Sequence, residues 1–332
     1  MKSMASIGKI FLLFLYLAVT FPAICQTVSY EIKQDSVWID TSNGKIFGLL
    51  FQPVGIETRK TPAILCLQGG GLVGLANYIY EARFFAKYGI TSLVCDKSGA
   101  GLSESQKSWR QQSFKEKTDE YMELFAWLSN YEGIDSSLVG VHGMSEGGRL
   151  ALNMALRHPE KIAFVNAVSG PTASYKANQL YAIYNHLHAQ NLDYVTIVKA
   201  LYVWNRYFDD IGIGEISEET LALINELIAL DPDLRYRPDN SGELPSRPLS
   251  KDIHFTMEGS LENIKCPVLL QYGALDVLVD PIKSLSLIPE KSNFEIKKYE
   301  NTGHSMNLVN GDINPLFLED KLVWIQHLLR NE

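Results

Sequence analysis

The chain is poor in cysteine and in clustered basic charge, and each shortage removes a class of protein. Four cysteines (Cys25, Cys66, Cys95 and Cys266) in 332 residues are too few for a disulfide-stapled scaffold. The last three sit in or beside apolar, strand-like runs and read as buried free thiols. Lys and Arg total 30 against 38 Asp and Glu, a formal net charge of −8, and no Lys/Arg cluster stands out. Nucleic acids and anionic membranes are held by basic side chains that displace counterions, so neither is an expected partner. No Asn-x-Ser/Thr glycosylation site occurs, which leans towards a bacterial exported protein. With no internal repeat and no low-complexity tract, what is left is an ordinary globular composition, 46% hydrophobic and 20% charged.

What the chain does have begins with a leader. Lys2 and Lys9 give a positive start, Ile10 to Ile24 is almost wholly apolar, and Ala23-Ile-Cys25 offers a small-residue cleavage site before Gln26. Residues 1–25 therefore read as a signal peptide of a periplasmic or secreted protein. A retained membrane anchor is the alternative, because the run is close to spanning length. Acylation of Cys25 is disfavoured by Ile24, where a small residue is expected.

After the leader, Val37–Asp40 and Ile46–Gln52 form a strand pair around Ser42-Asn43-Gly44, a strong hairpin signal. The rhythm then changes to alternating strand and helix: Ala63–Leu67, Tyr78–Tyr88, Ile90–Cys95, Phe114–Tyr131, Leu138–His142, Gly147–His158 and Ile162–Val168. Alternation of this kind predicts an α/β fold with a mostly parallel sheet, right-handed crossovers and helices on both faces. It breaks after Gly170-Pro171. Residues 171–258 carry three helical stretches (Tyr175–His188, Val195–Phe208, Ser217–Leu230) and a Pro-rich stretch with Pro232, Pro238, Pro245 and Pro248. The strand pattern resumes at Pro267–Tyr272 and Phe294–Tyr299, and Leu316–Leu329 closes the chain as a helix. The expected organisation is a core of residues 26–170 and 259–332, with a helical cap at 171–258.

The sharpest chemical signal is Gly143-Met-Ser145-Glu-Gly147. Between a strand and a helix, a nucleophile on so tight a turn needs small residues two positions away on either side. Ser145 is the candidate nucleophile, and the Glu146 N–H, at the helix N-terminus, is a candidate oxyanion donor. Serine needs a base. Of seven histidines, His304 is best placed, in a loop after the last strand and before the final helix. His142 belongs to the strand entering the turn and reads as a packed core residue. Asp276, at the end of the strand that follows the cap, is the candidate acid. Its rival Asp280, just before Pro281, suits a helix N-cap. Gln68-Gly-Gly-Gly71 ends the first parallel strand, with Gly70 the expected second oxyanion donor because glycine lets the backbone approach a substrate carbonyl.

These residues, together with Asp96-Lys-Ser-Gly-Ala-Gly-Leu-Ser103 and Gly303-His304, resemble the α/β-hydrolase superfamily from about residue 45 to the C-terminus. The Ser-Glu-Gly-Gly form of the turn and the triple glycine are similar to the dienelactone-hydrolase and prolyl-oligopeptidase-like branch, and to catalytic domains of acyl-CoA thioesterases and bile-acid acyltransferases. Gln68 departs from the His-Gly pair common at its position. The resemblance implies the α/β-hydrolase fold, a pocket-shaping role for the loop after Asp96, and a Ser-His-Asp triad made of Ser145, His304 and Asp276.

The expected activity is hydrolysis of carboxylic esters through an acyl-enzyme, with no metal and no organic cofactor. A serine aminopeptidase or amidase is the alternative within catalysis. It would need an anion for the substrate amine, for which Glu146, Glu215, Glu218 or Glu219 could serve. A thioesterase acting on coenzyme A esters is disfavoured by export. A catalytically inactive binding protein is disfavoured by the complete set of triad residues. In the cap, Tyr175, Tyr181, Tyr184, Tyr202, Trp204, Tyr207 and Phe208 read first as packing and second as a lid for a bulky, partly apolar substrate.

Overall fold

The computed structural model describes residues 29–56, 60–231 and 252–329. The expected leader and the expected Pro-rich stretch of the cap lie outside the described residues.

The first hairpin is longer than its hydrophobic pattern. Strands β1 (Ile32–Thr41) and β2 (Gly44–Pro53) pair antiparallel over their full length, with Asn43-Gly44 at the turn. Polar Lys33, Gln34 and Asp35 belong to β1 because it is the edge of the sheet, where one face meets water. The alternation that follows gives β3 (Thr61–Leu67), α1 (Ile79–Lys87), β4 (Thr91–Cys95), the two-residue β5 (Glu104–Ser105), α2 (Phe114–Ser129), β6 (Ile134–Met144), α3 (Glu146–Arg157) and β7 (Val165–Val168). Strand β6 starts earlier than its apolar run because Ile134 pairs with Thr61 across a bulge, carrying the polar residues Asp135–Ser137 into the sheet. Helix α2 begins with a capping box in which Ser113 and Glu116 satisfy each other's backbone N–H groups.

After the cap come β8 (Val268–Gly273), α7 (Pro281–Ser286), β9 (Phe294–Tyr299) and α8 (Pro315–Leu328). The sheet runs β1-β2-β4-β3-β6-β7-β8-β9, with β5 beside β2. From β4 to β9 neighbouring strands are parallel, so the sheet is mostly parallel with an antiparallel edge.

Alternate residues of the central strands feed two cores. Ala63, Leu65, Val139, Val141, Ala167 and Leu270 pack with Leu124 and Phe125 of α2 and Leu150 and Met154 of α3. On the other face Ile64, Cys66, Val94 and Leu269 pack with Ala82 and Phe85 of α1 and Trp324 and Ile325 of α8. This period of two is what a sheet covered on both sides requires.

A polar chain crosses the second face. His142 of β6 donates from Nδ1 to Asn166 Oδ1 (2.8 Å), and Asn166 Nδ2 donates to Gln271 Oε1 (2.9 Å). Gln271 Nε2 donates to the Tyr299 hydroxyl (2.8 Å), which donates to Asp320 of α8 (3.0 Å). At its near end, His142 Nε2 lies 3.4 Å from Glu81 of α1, and Glu81 is paired with Lys321 of α8. Burial lowers the His142 pKa to about 4, so the ring is neutral at pH 7. His142 is the core residue its strand position suggests.

Between β7 and β8 the chain builds α4 (Tyr175–Ala189), α5 (Tyr194–Ile213) and α6 (Glu218–Leu230), which share a core of their own that includes Ile183, Leu187, Trp204, Tyr207, Phe208 and Ile224. Trp204, Tyr207 and Phe208 are thus packing residues, whereas Tyr184 and Tyr202 line an open groove of about 540 Å³ between α4 and α5. Among the described residues, no helix is long and apolar enough to cross a membrane.

Candidate active site

Ser145 and His304 are each tied to the carboxyl end of β7, and His304 is hydrogen-bonded to Asp276 beyond β8. Ser145 lies between β6 and α3 with φ 57° and ψ −120°, a backbone conformation that non-glycine residues rarely adopt. Holding it there costs about 1–3 kcal/mol, supplied by the surrounding packing. The flanking glycines are needed sterically. A Cβ at Gly143 would sit 2.2 Å from the Gly147 carbonyl oxygen, and one at Gly147 would sit 2.2 Å from that of Leu67. The Ser145 N–H is held on the Val168 carbonyl at the end of β7 (2.8 Å).

His304 reaches the same strand end from the other side. The Ser169 hydroxyl, one residue beyond β7, donates to the His304 carbonyl (2.9 Å). The imidazole Nδ1 faces Asp276 Oδ2 at 2.8 Å. Asp276 Oδ1 accepts the N–H groups of Leu278 and Val279, both at 2.8 Å, so the buried carboxylate has a donor on each oxygen. This arrangement fixes the tautomer with the proton on Nδ1 and leaves Nε2 as the basic nitrogen. Asp280 is otherwise engaged: it caps α7, accepting from the N–H groups of Ile282 and Lys283 (both 2.9 Å).

The glycine loop after β3 lies against the nucleophile's turn, and a Cβ on Gly69 would be 3.5 Å from Ser145 Cβ. The Gly69 N–H donates to the Tyr78 hydroxyl (2.6 Å), whereas Gly70 faces open space, with no atom within 4 Å of where its Cβ would be. Asp96 shapes the neighbouring loop as its motif suggests, accepting from Leu75 N (2.6 Å) and Leu102 N (2.8 Å).

The Glu146 side chain has surroundings that the sequence did not disclose. Lys117 Nζ is 2.7 Å from Oε1; Lys97 Nζ (3.3 Å) and the Trp109 indole N–H (3.1 Å) both reach Oε2. Burial alone would raise this carboxyl, but the charges of Lys117 and Lys97 bring it down to about 2. Glu146 is therefore a neutralised partner rather than a free anion for a substrate amine, and Glu219 is paired with Arg206 (2.8 Å). Lys97, Tyr78, Trp109 and Lys117 were missed because no spacing along the chain links them to Ser145. They come from the loop after β4, the turn before α1, the turn before α2, and α2 itself, and only the fold brings these together. Among the described residues no group of three or more His, Cys, Asp or Glu side chains is arranged to hold a metal ion.

Fold and site together define a serine hydrolase of the α/β-hydrolase superfamily. The chain matches the X-Pro dipeptidyl-peptidase (S15) family over residues 18–287 and belongs to that family. It is 30% identical over 142 residues to dipeptidyl peptidase 8 of Mus musculus and of Homo sapiens, a stretch that takes in 40% of this chain but only 16% of those proteins. Among solved structures it is similar to the α/β-hydrolase GrgF from Penicillium (TM-score 0.60, 17% identity, 89% of this chain and 98% of that one). It is also similar to the proline iminopeptidase of Mycobacterium smegmatis (0.57, 17%, 90% and 100%). A putative dipeptidyl aminopeptidase IV from Bacteroides ovatus aligns with 90% of this chain over 36% of its own length (0.52, 15%). At these identities the structural likenesses establish the fold alone.

Proposed function

We propose that the protein hydrolyses small peptide-like amides through an acyl-enzyme formed on Ser145, and that it cleaves activated esters by the same route. The observation that carries the reading is a strained serine turn and a His304–Asp276 hydrogen bond of 2.8 Å anchored to the same strand end. His304 Nε2 takes the Ser145 proton as Oγ attacks the acyl carbon. The Gly70 and Glu146 N–H groups receive the oxyanion, and the imidazolium, opposite Asp276, passes its proton to the leaving nitrogen as the C–N bond breaks. Water, deprotonated by His304, then releases the acid. Family membership supports the amide over the ester that the sequence put first. One observation favours the ester: with Glu146 held by two lysines, an amine anchor must be found elsewhere.

Rates on aminoacyl and dipeptidyl p-nitroanilides, set against short and long p-nitrophenyl esters, separate the two readings. Ser145→Ala is expected to abolish turnover and fluorophosphonate labelling, and retained turnover would overturn the assignment. Export is part of the proposal and rests on Lys2, Lys9 and the Ile10–Ile24 run. Fractionation of expressing cells, with sequencing of the mature N-terminus, tests it.

A further inference from the structure

The Lys97 side chain is fully buried directly behind the glycine loop. An ammonium has three N–H donors, and each has an acceptor here: the Gly69 carbonyl, the Gly71 carbonyl (2.9 Å) and Glu146 Oε2 (3.3 Å). Its charge also lies 4.4 Å from the centre of the Trp109 ring. Every peptide bond of the described chain is trans. In a trans peptide C=O and N–H point in opposite directions, so fixing the Gly69 carbonyl on Lys97 fixes the Gly70 N–H to point away from Lys97. Around Gly70 there is open space, with nothing beyond its chain neighbours within 4 Å of a Cβ built on it, and its neighbour Gly69 adjoins Ser145. The third acceptor belongs to the residue after the nucleophile, whose own N–H is the second proposed donor.

We propose that Lys97 is a positioning residue of the oxyanion site, one ammonium that clamps the Gly69–Gly70 peptide and the Glu146 turn in the orientation that receives the tetrahedral intermediate. It touches no substrate and acts through the two N–H groups. Glycines have no side chain to hold a peptide plane, so without the clamp the Gly69–Gly70 peptide loses its carbonyl anchor, although Tyr78 still holds the Gly69 N–H.

The clamp is charge-dependent. Burial lowers the Lys97 pKa to about 8, against the pull of Glu146 and with Lys117 adding repulsion. A neutral amine has two donors, so deprotonation releases one of the three anchors. The ionisable groups around it are Glu146 at the start of α3, Lys117, Glu120 and Tyr121 on α2, and Asp96 and Cys95 on its own segment. Glu146 is held at about 2, and burial pushes Tyr121 and Cys95 well up, so none of those three titrates near pH 8.

The inference rests on the acyl-enzyme reading, and the test keeps the two apart. kcat and KM on one activated ester are measured from pH 6 to 10 for the wild type, Lys97→Met and Lys97→Arg, with Ser145→Ala alongside. Loss of one oxyanion donor lowers kcat by about 100–1,000-fold, so Lys97→Met, which loosens a donor, is expected to lower kcat by about 10–100-fold with KM little changed. Binding of a peptide-like boronate, which forms the tetrahedral adduct, is expected to weaken in proportion. Wild-type kcat falls above pH about 8, and Lys97→Arg, whose charge persists, loses that alkaline limb. Unchanged kcat in Lys97→Met, or a loss confined to KM, overturns the proposal. Should Lys97→Met fail to fold, an alkaline limb that persists in Lys97→Arg, or one absent from the wild type up to pH 10, overturns it equally. Turnover retained by Ser145→Ala sinks the acyl-enzyme reading itself, whatever the lysine variants do.

Discussion

Removing Lys321 is expected to cost far more stability than removing Lys321 and Glu81 together. Both are buried between α1 and α8, with the Lys321 ammonium 4.4 Å from the Phe317 ring centre, 4.7 Å from that of Phe84 and 5.2 Å from that of Phe85. Lys321→Met leaves the buried Glu81 charged without its cation, facing the neutral His142 at 3.4 Å. Breaking a buried pair in this way costs about 3–5 kcal/mol, which for a chain of this size lowers Tm by roughly 4–8 °C. The double variant Glu81→Leu/Lys321→Met strands no charge and is expected to lie within about 2 kcal/mol of the wild type, since apolar replacement of such pairs is often near neutral. Acid adds a signed check. Burial alone would raise the Glu81 pKa, but Lys321 and His142 bring it below its ordinary value of 4.5. The pair's contribution is therefore present above pH 4.5 and lost as pH falls through the lower folded value. The gap between the wild type and Lys321→Met should narrow on that descent. Urea unfolding followed by circular dichroism at pH 7 and pH 4 measures all of this. A single variant that loses less than about 1 kcal/mol, or a double variant no better than the single, refutes the reasoning.

Other perturbations have equally definite outcomes. Asp276→Asn keeps the fold but removes the acceptor that fixes the His304 tautomer, and kcat should fall by about 10⁴-fold on an ester substrate. Gly147→Ala drives a methyl group to 2.2 Å from the Leu67 carbonyl oxygen and should abolish activity, with a lower Tm in a thermal melt. His142 must stay neutral in the fold, and its pKa of about 4 lies below the ordinary 6.5, so stability should decline as pH falls from 6.5 to 4. In His142→Gln that decline should be shallower in denaturant titrations. Cys66, Cys95 and Cys266 are free and buried, and burial raises all three thiols. Iodoacetamide should leave them unmodified in native protein and alkylate them in urea, as read by intact mass.

Much of the fold was legible because periodicity and punctuation agree. Asn43-Gly44 marks the hairpin, and Gly143 and Gly147 mark the turn at Ser145. Asp276 was singled out by its place just beyond a strand end and His304 by its loop between the last strand and the final helix, and the structure hydrogen-bonds the two. The boundaries that slipped were those set by pairing: β6 takes in Asp135–Ser137 because Thr61 pairs with Ile134. The environment of Glu146 was not legible at all. A glutamate after the nucleophile reads as a backbone donor or an anion for an amine, and only the fold shows that Lys97, Trp109 and Lys117, from three separate elements, converge on it. Long-range electrostatics of this kind leave no local pattern in a sequence.

The side chains strung from His142 through Asn166 and Gln271 to Tyr299 act as an alignment key. Parallel strands of Val, Leu and Ala could slide past one another by two residues and still bury apolar groups. Here such a slide would strand amides and an imidazole without partners in a dry interior, a mistake costing several kcal/mol. Because the loops bearing Ser145, Asp276 and His304 leave the ends of these same strands, the key also sets the level from which those loops start.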